Sequence, residues 1–239
     1  MEDKYKLESQ LRSPSEKNQL QVIPKLIASG ETGLAALMEW LDSHQDRPSI
    51  VLVKAYQALY QANTPQTKEF LQNKFPNGII PLSSERNVDY QSLQQLLAKQ
   101  DFERADTLTR QKLCELAGTA AQKRGWLYFS EVDNFPATDL ETIERLWLLY
   151  SEGKFGFSVQ RKIWLSVGRD FDRLWQQIGW KTDSGWTRYP QEFTWDLTAP
   201  NGHLPLSNQL RGVRVIASIF SHPVWQQKSV LESLDSGLK

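Results

Sequence analysis

The sequence is short of the residues that build disulfides, metal centres and covalent active sites. Cys114 is its one cysteine, which excludes a disulfide within the chain, and histidine occurs three times. No histidine or cysteine recurs at the spacing of a helical metal site, and no phosphate-binding glycine loop or serine nucleophile motif is present. We therefore predict a protein that is not an enzyme and holds neither a metal nor a cofactor.

An excess of charge of either sign is also missing, as are long apolar segments. Lys plus Arg and Asp plus Glu both number 28, which gives no reason to expect nucleic-acid binding. No apolar segment has the length that spans a bilayer, and the N-terminus lacks the apolar core of a secretory signal. We expect a cytoplasmic monomer, with peripheral membrane contact left open.

Helical patterns run through most of the chain, whereas no hairpin signal is present and β-branched runs are few. A segment rich in proline, glycine and serine, residues 76–88, separates two sets of helices and is typical of a linker. The sequence predicts an all-α protein with an N-terminal helical bundle over residues 1–82. A second helical domain follows over residues 87–226, and a flexible tail over 227–239.

Three local patterns in the second domain give sharper predictions. Thr138 and Glu141 have the spacing of a capping box that starts a helix. Residues 126–136, an aromatic run followed by polar residues, are predicted to be the end of a helix and a loop. Ser207 is predicted to cap a helix that extends to Phe220.

Residues 179–206 lack a helical pattern and carry flat aromatic side chains, Tyr189, Phe193 and Trp195 among them. Loops of this length are uncommon in compact domains and are usually functional or disordered, and so many aromatic residues argue against disorder. Two arrangements stay open. The rings pack within the loop, or they line one wall of a pocket.

Arg211 and Arg214 follow the loop, three residues apart in the predicted helix. Residues 197–231 contain no Asp or Glu, so neither guanidinium group has a local carboxylate partner. Either both groups are solvated, or they bind an anion that a ligand supplies. Arginines beside an aromatic loop would suit a flat, apolar ligand with two negative charges.

Structural roles are predicted for several other candidates. Trp126, Trp147, Trp164 and Trp175 lie in helical patterns and are predicted to pack in the core. His203 is predicted to form hydrogen bonds with the backbone in a tight turn.

Three motifs in the second domain are long and specific. They are VDNFP at residues 132–136, YSEGKFGFSVQ at 150–160 and APNGHLP at 199–205. With these motifs the domain resembles the genomes-uncoupled four family, the tetrapyrrole-binding regulators of magnesium chelatase. The N-terminal bundle resembles the extra domain of its cyanobacterial members.

The resemblance implies a domain shaped like a cupped hand that binds protoporphyrin IX and magnesium protoporphyrin IX as ligands and performs no catalysis. It further implies stimulation of magnesium chelatase in chlorophyll biosynthesis, with the large porphyrin-binding subunit of that enzyme as partner. The ligand-binding residues it implies are Phe129 and Val132 in the floor, Tyr189, Phe193 and Trp195 in the loop, and Asn208, Arg211 and Arg214 at the propionates, with Arg110 as a further ligand-binding residue. The alternative is a helical interaction scaffold whose aromatic loop binds a peptide.

Overall fold

The computed structural model describes residue 7 and residues 9–44, 48–206 and 212–226. The chain divides into two compact units between Pro81 and Leu82. Both units are helical, and the sheet found within the described ranges consists of two strands of two residues each. The all-α prediction is confirmed.

The described part of the first unit is a bundle of helices joined by short loops. Ser49 and Thr64 cap two of the helices, since each side-chain oxygen accepts a hydrogen bond of 3.2 Å from the backbone N–H three residues later. Two helices cross so closely at Gly33 that a Cβ there would lie 1.8 Å from the carbonyl oxygen of Leu26. The helices are α1 Glu16–Ala28, α2 Glu31–Asp42, α3 Ile50–Ala62 and α4 Pro65–Lys74.

The second unit is built around one central buried helix. The helices of the second unit are α5 Gln91–Ala98, α6 Phe102–Ala117, α7 Thr119–Arg124, α8 Phe129–Val132, α9 Ala137–Tyr150, α10 Phe157–Ser166, α11 Phe171–Gln177 and α12 Arg214–Ser221. The central helix is α9. Trp147 on α9 is fully buried, and its indole N–H donates a 3.0 Å hydrogen bond to Thr109 Oγ1. The prediction of core tryptophans is confirmed for Trp147 and Trp175. It is wrong for Trp126 and Trp164, which are only half-buried.

Part of the predicted linker belongs to the second unit. The hydroxyl of Thr142 donates to the carbonyl oxygen of Ser83 at 2.7 Å, and the N–H of Glu85 donates to Asp139 at 3.0 Å. Asp139 is fully buried inside α9, where it also accepts a 2.9 Å hydrogen bond from the Tyr90 hydroxyl. The capping-box prediction is therefore wrong, because α9 begins before Thr138 and Asp139 serves a tertiary contact.

Two other predicted boundaries are also wrong. A short helix, α8, begins at Phe129 where a loop was predicted, because the Glu131 carboxylate accepts a 2.7 Å hydrogen bond from the N–H of Tyr128 and closes the turn. Helix α12 begins at Arg214 rather than after Ser207, which lies outside the described residues. Gly212 has a φ of 78°, which a right-handed helix cannot contain.

A buried carboxylate fixes the start of α10. Glu144 on α9 is 1% exposed and accepts hydrogen bonds from the N–H groups of Phe157 at 2.7 Å and Ser158 at 3.2 Å, and from the Ser158 hydroxyl. Burial raises the pKa of Glu144 to about 7, although these hydrogen bonds lower it. A Cβ at Gly156 would lie 2.6 Å from the Glu144 Oε1 atom, so glycine is required there. The carboxylate satisfies N–H groups that the helix itself leaves unpaired.

The raised pKa of Glu144 predicts a measurable pH dependence of stability. Between about pH 4.5 and pH 7 the folded state retains a proton that the unfolded state releases, so this group lowers the free energy of unfolding as pH rises. Glu144→Gln should remove that contribution, which is about 3 kcal/mol across the interval. Calorimetric unfolding at several pH values tests this. Parallel pH profiles for the wild type and the variant would contradict it.

Candidate functional site

The segment over residues 179–206 opens with a short hairpin. Strand β1 Lys181–Thr182 pairs antiparallel with β2 Gly185–Trp186, and the Trp186 side chain is 49% exposed. The prediction that the chain has no hairpin is wrong at this place. Strands of two residues are too short to show the alternation by which strands are recognised in a sequence.

The predicted loop aromatics form one packed cluster. The rings of Tyr189 and Phe193 meet edge to face with centroids 5.4 Å apart, and those of Phe193 and Trp195 stack at 5.6 Å. Phe193 is 6% exposed, whereas Tyr189 and Trp195 are half-buried. The indole N–H of Trp195 donates to the carbonyl oxygen of Pro190 at 3.0 Å. The rings thus pack within the loop, and two of them keep exposed edges.

Backbone hydrogen bonds attach the end of the loop to the connection between α9 and α10. The N–H of Gly202 donates to the carbonyl oxygen of Lys154 at 2.8 Å, and the N–H of Gly156 donates to that of Leu204 at 3.0 Å. Lys154 and Gly156 belong to the YSEGKFGFSVQ motif, and Gly202 and Leu204 to APNGHLP. Two of the motifs that carry the resemblance therefore bind each other and hold the loop in place.

His203 has a structural role, as predicted. Its Nδ1 atom lies 2.6 Å from the carbonyl oxygen of Ile178 and therefore carries the proton, while Nε2 accepts a hydrogen bond from the N–H of Thr194 at 3.3 Å. The pKa of His203 lies below its usual value because burial lowers it by more than the hydrogen bond to the Ile178 carbonyl raises it. A neutral, buried imidazole with both nitrogens occupied is suited to fixing the loop rather than to catalysis.

Helix α6 contributes a carboxylate and a cation to the same loop. Asp106 is 0% exposed and accepts hydrogen bonds from the Tyr189 hydroxyl at 3.0 Å and the Leu206 N–H at 2.6 Å. Arg110, one turn later, has its Nε atom 3.6 Å from the carboxylate and donates from Nη2 to the Tyr189 hydroxyl at 2.6 Å. Burial raises the pKa of Asp106 to about 6, against the lowering effect of Arg110 and both donors.

Sequence reasoning selected Arg110 and Tyr189 but missed Asp106. The signal was present, because Asp106 lies on the apolar stripe of α6 with Phe102, Ala105 and Leu113. An acidic residue on a buried helical face requires a partner, and the sequence could not show which one.

A second group of predicted residues lies where α8 packs against α12. Phe129 is 42% exposed, and the guanidinium carbon of the exposed Arg214 lies 5.4 Å from the centroid of its ring. Val213, beside it, is 38% exposed. Val132 is fully buried, so no ligand can reach it in this arrangement. Asn208 and Arg211 lie outside the described residues.

The position of Arg214 favours contact with an anion. It is the first residue of α12, which lacks a side-chain cap, so the first-turn N–H groups of this helix point outward without helical acceptors. The positive end of a helix does not stabilise a cation, whereas it attracts anions. Among the described residues no carboxylate forms an ion pair with Arg214.

Arg124 was also missed, and it differs from Arg214 in having a partner. Its guanidinium carbon lies 4.4 Å from the ring centroid of Trp126 and 4.3 Å from that of Tyr128. Its Nη2 atom contacts both carboxylate oxygens of Glu131, at 2.9 and 2.6 Å. This paired cation holds the Tyr128 ring, which is 51% exposed, beside Phe129 at the surface.

The described ranges show neither a metal-binding cluster nor a membrane-spanning helix. Across residues 9–44, 48–206 and 212–226, no group of three or more His, Cys, Asp or Glu could hold a metal ion. Within the part of the chain that the structure describes, no helix has the length and apolar character needed to cross a membrane. The Cys114 thiol is buried, which raises its pKa, while Arg124 and Arg110 lower it.

The fold and the site define an all-α protein in which a long aromatic loop packs on a helical domain that also carries cationic side chains. A family model described as GUN4-like matches residues 83–223, and a second, described as an ARM-like repeat domain at the GUN4 N-terminus, matches residues 1–76. The chain belongs to the GUN4-like family. The resemblance to the genomes-uncoupled four family is confirmed.

Relatives support this membership across the chain. A Ycf53-like protein of Synechocystis is 51% identical over 92% of this chain and 96% of its own length. A chloroplastic protein of Arabidopsis thaliana, named as tetrapyrrole-binding, is 42% identical over 56% of this chain and 54% of its own length. The GUN4 structure from Chlamydomonas reinhardtii is similar with a TM-score of 0.58 and 38% identity, covering 62% of this chain and 95% of the other.

The attachment of the loop can be tested at Gln160. This buried side chain donates from Nε2 to the carbonyl oxygens of Gly202 at 3.0 Å and Pro205 at 2.8 Å. Gln160→Met keeps similar volume but removes both donors, which should cost about 1–3 kcal/mol in unfolding free energy. Hydrogen exchange should accelerate over residues 199–206. The exposed Gln177→Met is the control, and equal effects of the two variants would contradict this prediction.

Proposed function

We propose that this protein binds protoporphyrin IX and magnesium protoporphyrin IX and stimulates magnesium chelatase in chlorophyll biosynthesis. Membership of the GUN4-like family and the name of the Arabidopsis relative support the ligand class. The observation that carries the proposal is the contact between Arg214 and the exposed ring of Phe129. It places a cation without an internal partner among the described residues beside a flat apolar surface.

A porphyrin has the chemistry that complements this surface. Its wide apolar face would bury the exposed rings of Phe129 and Tyr128, at about 25 cal/mol for each Å² removed from water, with stacking in addition. A propionate would meet Arg214 and the first-turn N–H groups of α12, which attract the same charge. One ligand would thus satisfy the apolar and the cationic parts together.

In this proposal, some of the other predicted residues contact the ligand and the rest support those that do. Tyr189 and Trp195 would present their exposed edges to the ligand, and Phe193 would support them by stacking. Val132, which is buried, would support the floor without contacting the ligand. Asn208 and Arg211 precede α12 and would share the propionates with Arg214. Arg110 faces Asp106 and the loop.

The regulatory part of the proposal assigns the protein an accessory role. The histidines of the second unit are occupied by backbone contacts: His203 by Ile178 and Thr194, and His222 by Phe135 and Val224. Such a protein would present a bound porphyrin to the large porphyrin-binding subunit of magnesium chelatase, or receive the product from it. The metal insertion itself would belong to that enzyme.

Porphyrin binding predicts saturable quenching of tryptophan fluorescence when protoporphyrin IX is added to the purified protein. Arg214→Gln should weaken binding about fivefold, the effect of losing one partly exposed charge contact of about 1 kcal/mol. Arg173→Gln is the control, because Arg173 is a 70% exposed arginine at the surface of the same unit. If the wild type shows no saturable quenching, the peptide-binding scaffold becomes the better account.

Stimulation of the enzyme predicts a higher rate of magnesium insertion when this protein is added to purified magnesium chelatase. The increase should be largest at low porphyrin concentration, since a carrier raises the effective supply of substrate. Arg214→Gln should reduce the increase, and Arg173→Gln should preserve it. A rate that is unchanged at every porphyrin concentration would contradict the regulatory role.

A further inference from the structure

One buried carboxylate holds two places in the aromatic loop. Asp106 Oδ2 accepts from the Tyr189 hydroxyl in the middle of the loop, and Oδ1 accepts from the Leu206 N–H at its end. No other charged side chain in the described residues contacts both of these places. Since Asp106 is 0% exposed, each lost donor would leave a buried negative charge less well compensated.

Arg110 completes this group. Its Nε atom lies 3.6 Å from the Asp106 carboxylate, and its guanidinium carbon lies 4.7 Å from the centroid of the Tyr189 ring. The Tyr189 hydroxyl accepts from Arg110 while it donates to Asp106, so the three side chains form a closed set of contacts. Thr107 adds a hydroxyl 3.3 Å from the same phenol oxygen.

The charges in this group cancel. An ionised Asp106 beside Arg110 leaves a net charge of zero, whereas Arg214 has no carboxylate partner among the described residues. The field that a ligand carboxylate meets near Arg110 is therefore weaker than the field near Arg214, because a neighbouring charge of opposite sign reduces it. Burial raises the pKa of Asp106 to about 6, so the carboxylate is ionised near pH 8.

We propose that Asp106 is a positioning residue, which fixes the aromatic loop on α6 and neutralises Arg110. The preference of the site for ligand carboxylates then arises at the start of α12, not at Arg110. The inference has two parts. The loop part, that Asp106 positions the aromatic loop, is independent of the proposed function, whereas the charge part, that α12 rather than Arg110 sets the carboxylate preference, rests on it. It gives Arg110 the task of orienting Tyr189 rather than that of binding a propionate.

The loop part is tested without ligand, by hydrogen exchange of the full chain at about pH 8, where Asp106 is ionised. Asp106→Asn keeps the shape of the side chain and weakens both hydrogen bonds, so residues 189–206 should exchange several-fold faster. Tyr189→Phe removes one of these hydrogen bonds and keeps the carboxylate, so it should accelerate exchange in the same region even if Asp106→Asn folds poorly. Unchanged exchange in both variants would overturn the positioning role.

Arg104→Gln provides the control for hydrogen exchange of the loop and for measurements of porphyrin affinity. Arg104 lies on α6 like Arg110, but it is 78% exposed and pairs with Asp101 at 3.5 Å, away from Tyr189. This variant should leave the exchange of residues 189–206 and the affinity for porphyrin unchanged. Faster loop exchange in Arg104→Gln would mean that general loosening of α6, and not the Asp106 contacts, controls the loop.

The charge part is tested with two forms of one porphyrin, protoporphyrin IX and its derivative with both propionates converted to neutral hydroxyethyl amides. The affinity ratio of the two forms measures carboxylate preference, and effects of loop position cancel in it. Asp106→Asn should raise this preference about two- to fivefold, because Arg110 loses its neutralising charge. The double variant Asp106→Asn with Arg110→Gln removes both charges of the pair and should leave the preference unchanged, and Arg214→Gln should lower it.

Each remaining outcome is decisive. If the double variant lowers the preference as much as Arg214→Gln does, Arg110 binds a propionate and the inference is wrong. An Asp106→Asn preference equal to that of the wild type would also overturn it. If the wild type binds neither porphyrin, the proposed function fails together with the charge part, while hydrogen exchange still decides whether Asp106 positions the loop.

Discussion

The requirement that buried polar groups find hydrogen-bond partners holds the second unit together around its long loop. The loop has almost no regular structure to satisfy its own backbone, so helices supply the partners. Gln160 donates to two loop carbonyls, Trp180 donates to the carbonyl of His203 at 2.7 Å, and Asp106 accepts from Leu206. Aromatic side chains are carried on irregular backbone, and the buried polar contacts give that backbone one position.

The same logic separates the cations of the second unit by their partners. Arg110 faces Asp106 and Arg124 faces Glu131, and each of these arginines also lies over an aromatic ring. Paired in this way, they orient rings at low cost in net charge. Arg214 begins a helix and has no carboxylate partner among the described residues. A ligand that brings its own anions is therefore expected at Arg214.

Elements that were predicted correctly depend on residues close together in the sequence, whereas those that were missed depend on contacts between residues far apart in it. Helices such as α6 and α9 follow from apolar spacing, a local property of the chain. The predicted start of α9 was wrong because Asp139 contacts Tyr90 and Glu85, which lie far from it in sequence. Asp106 was missed as a site residue although it interrupts an apolar stripe. The two residues that donate hydrogen bonds to its carboxylate lie 83 and 100 residues away.

The sequence by itself determined the all-α class, the family through its three motifs, and the lack of acidic residues around Arg214, since each depends on residue identity and short spacing. The tertiary structure decided how the candidates are used. It packed Phe193 and exposed Phe129, buried Val132, and paired Arg110 with Asp106. Burial and ion pairing depend on residues brought together from distant parts of the chain. No local pattern contains that information.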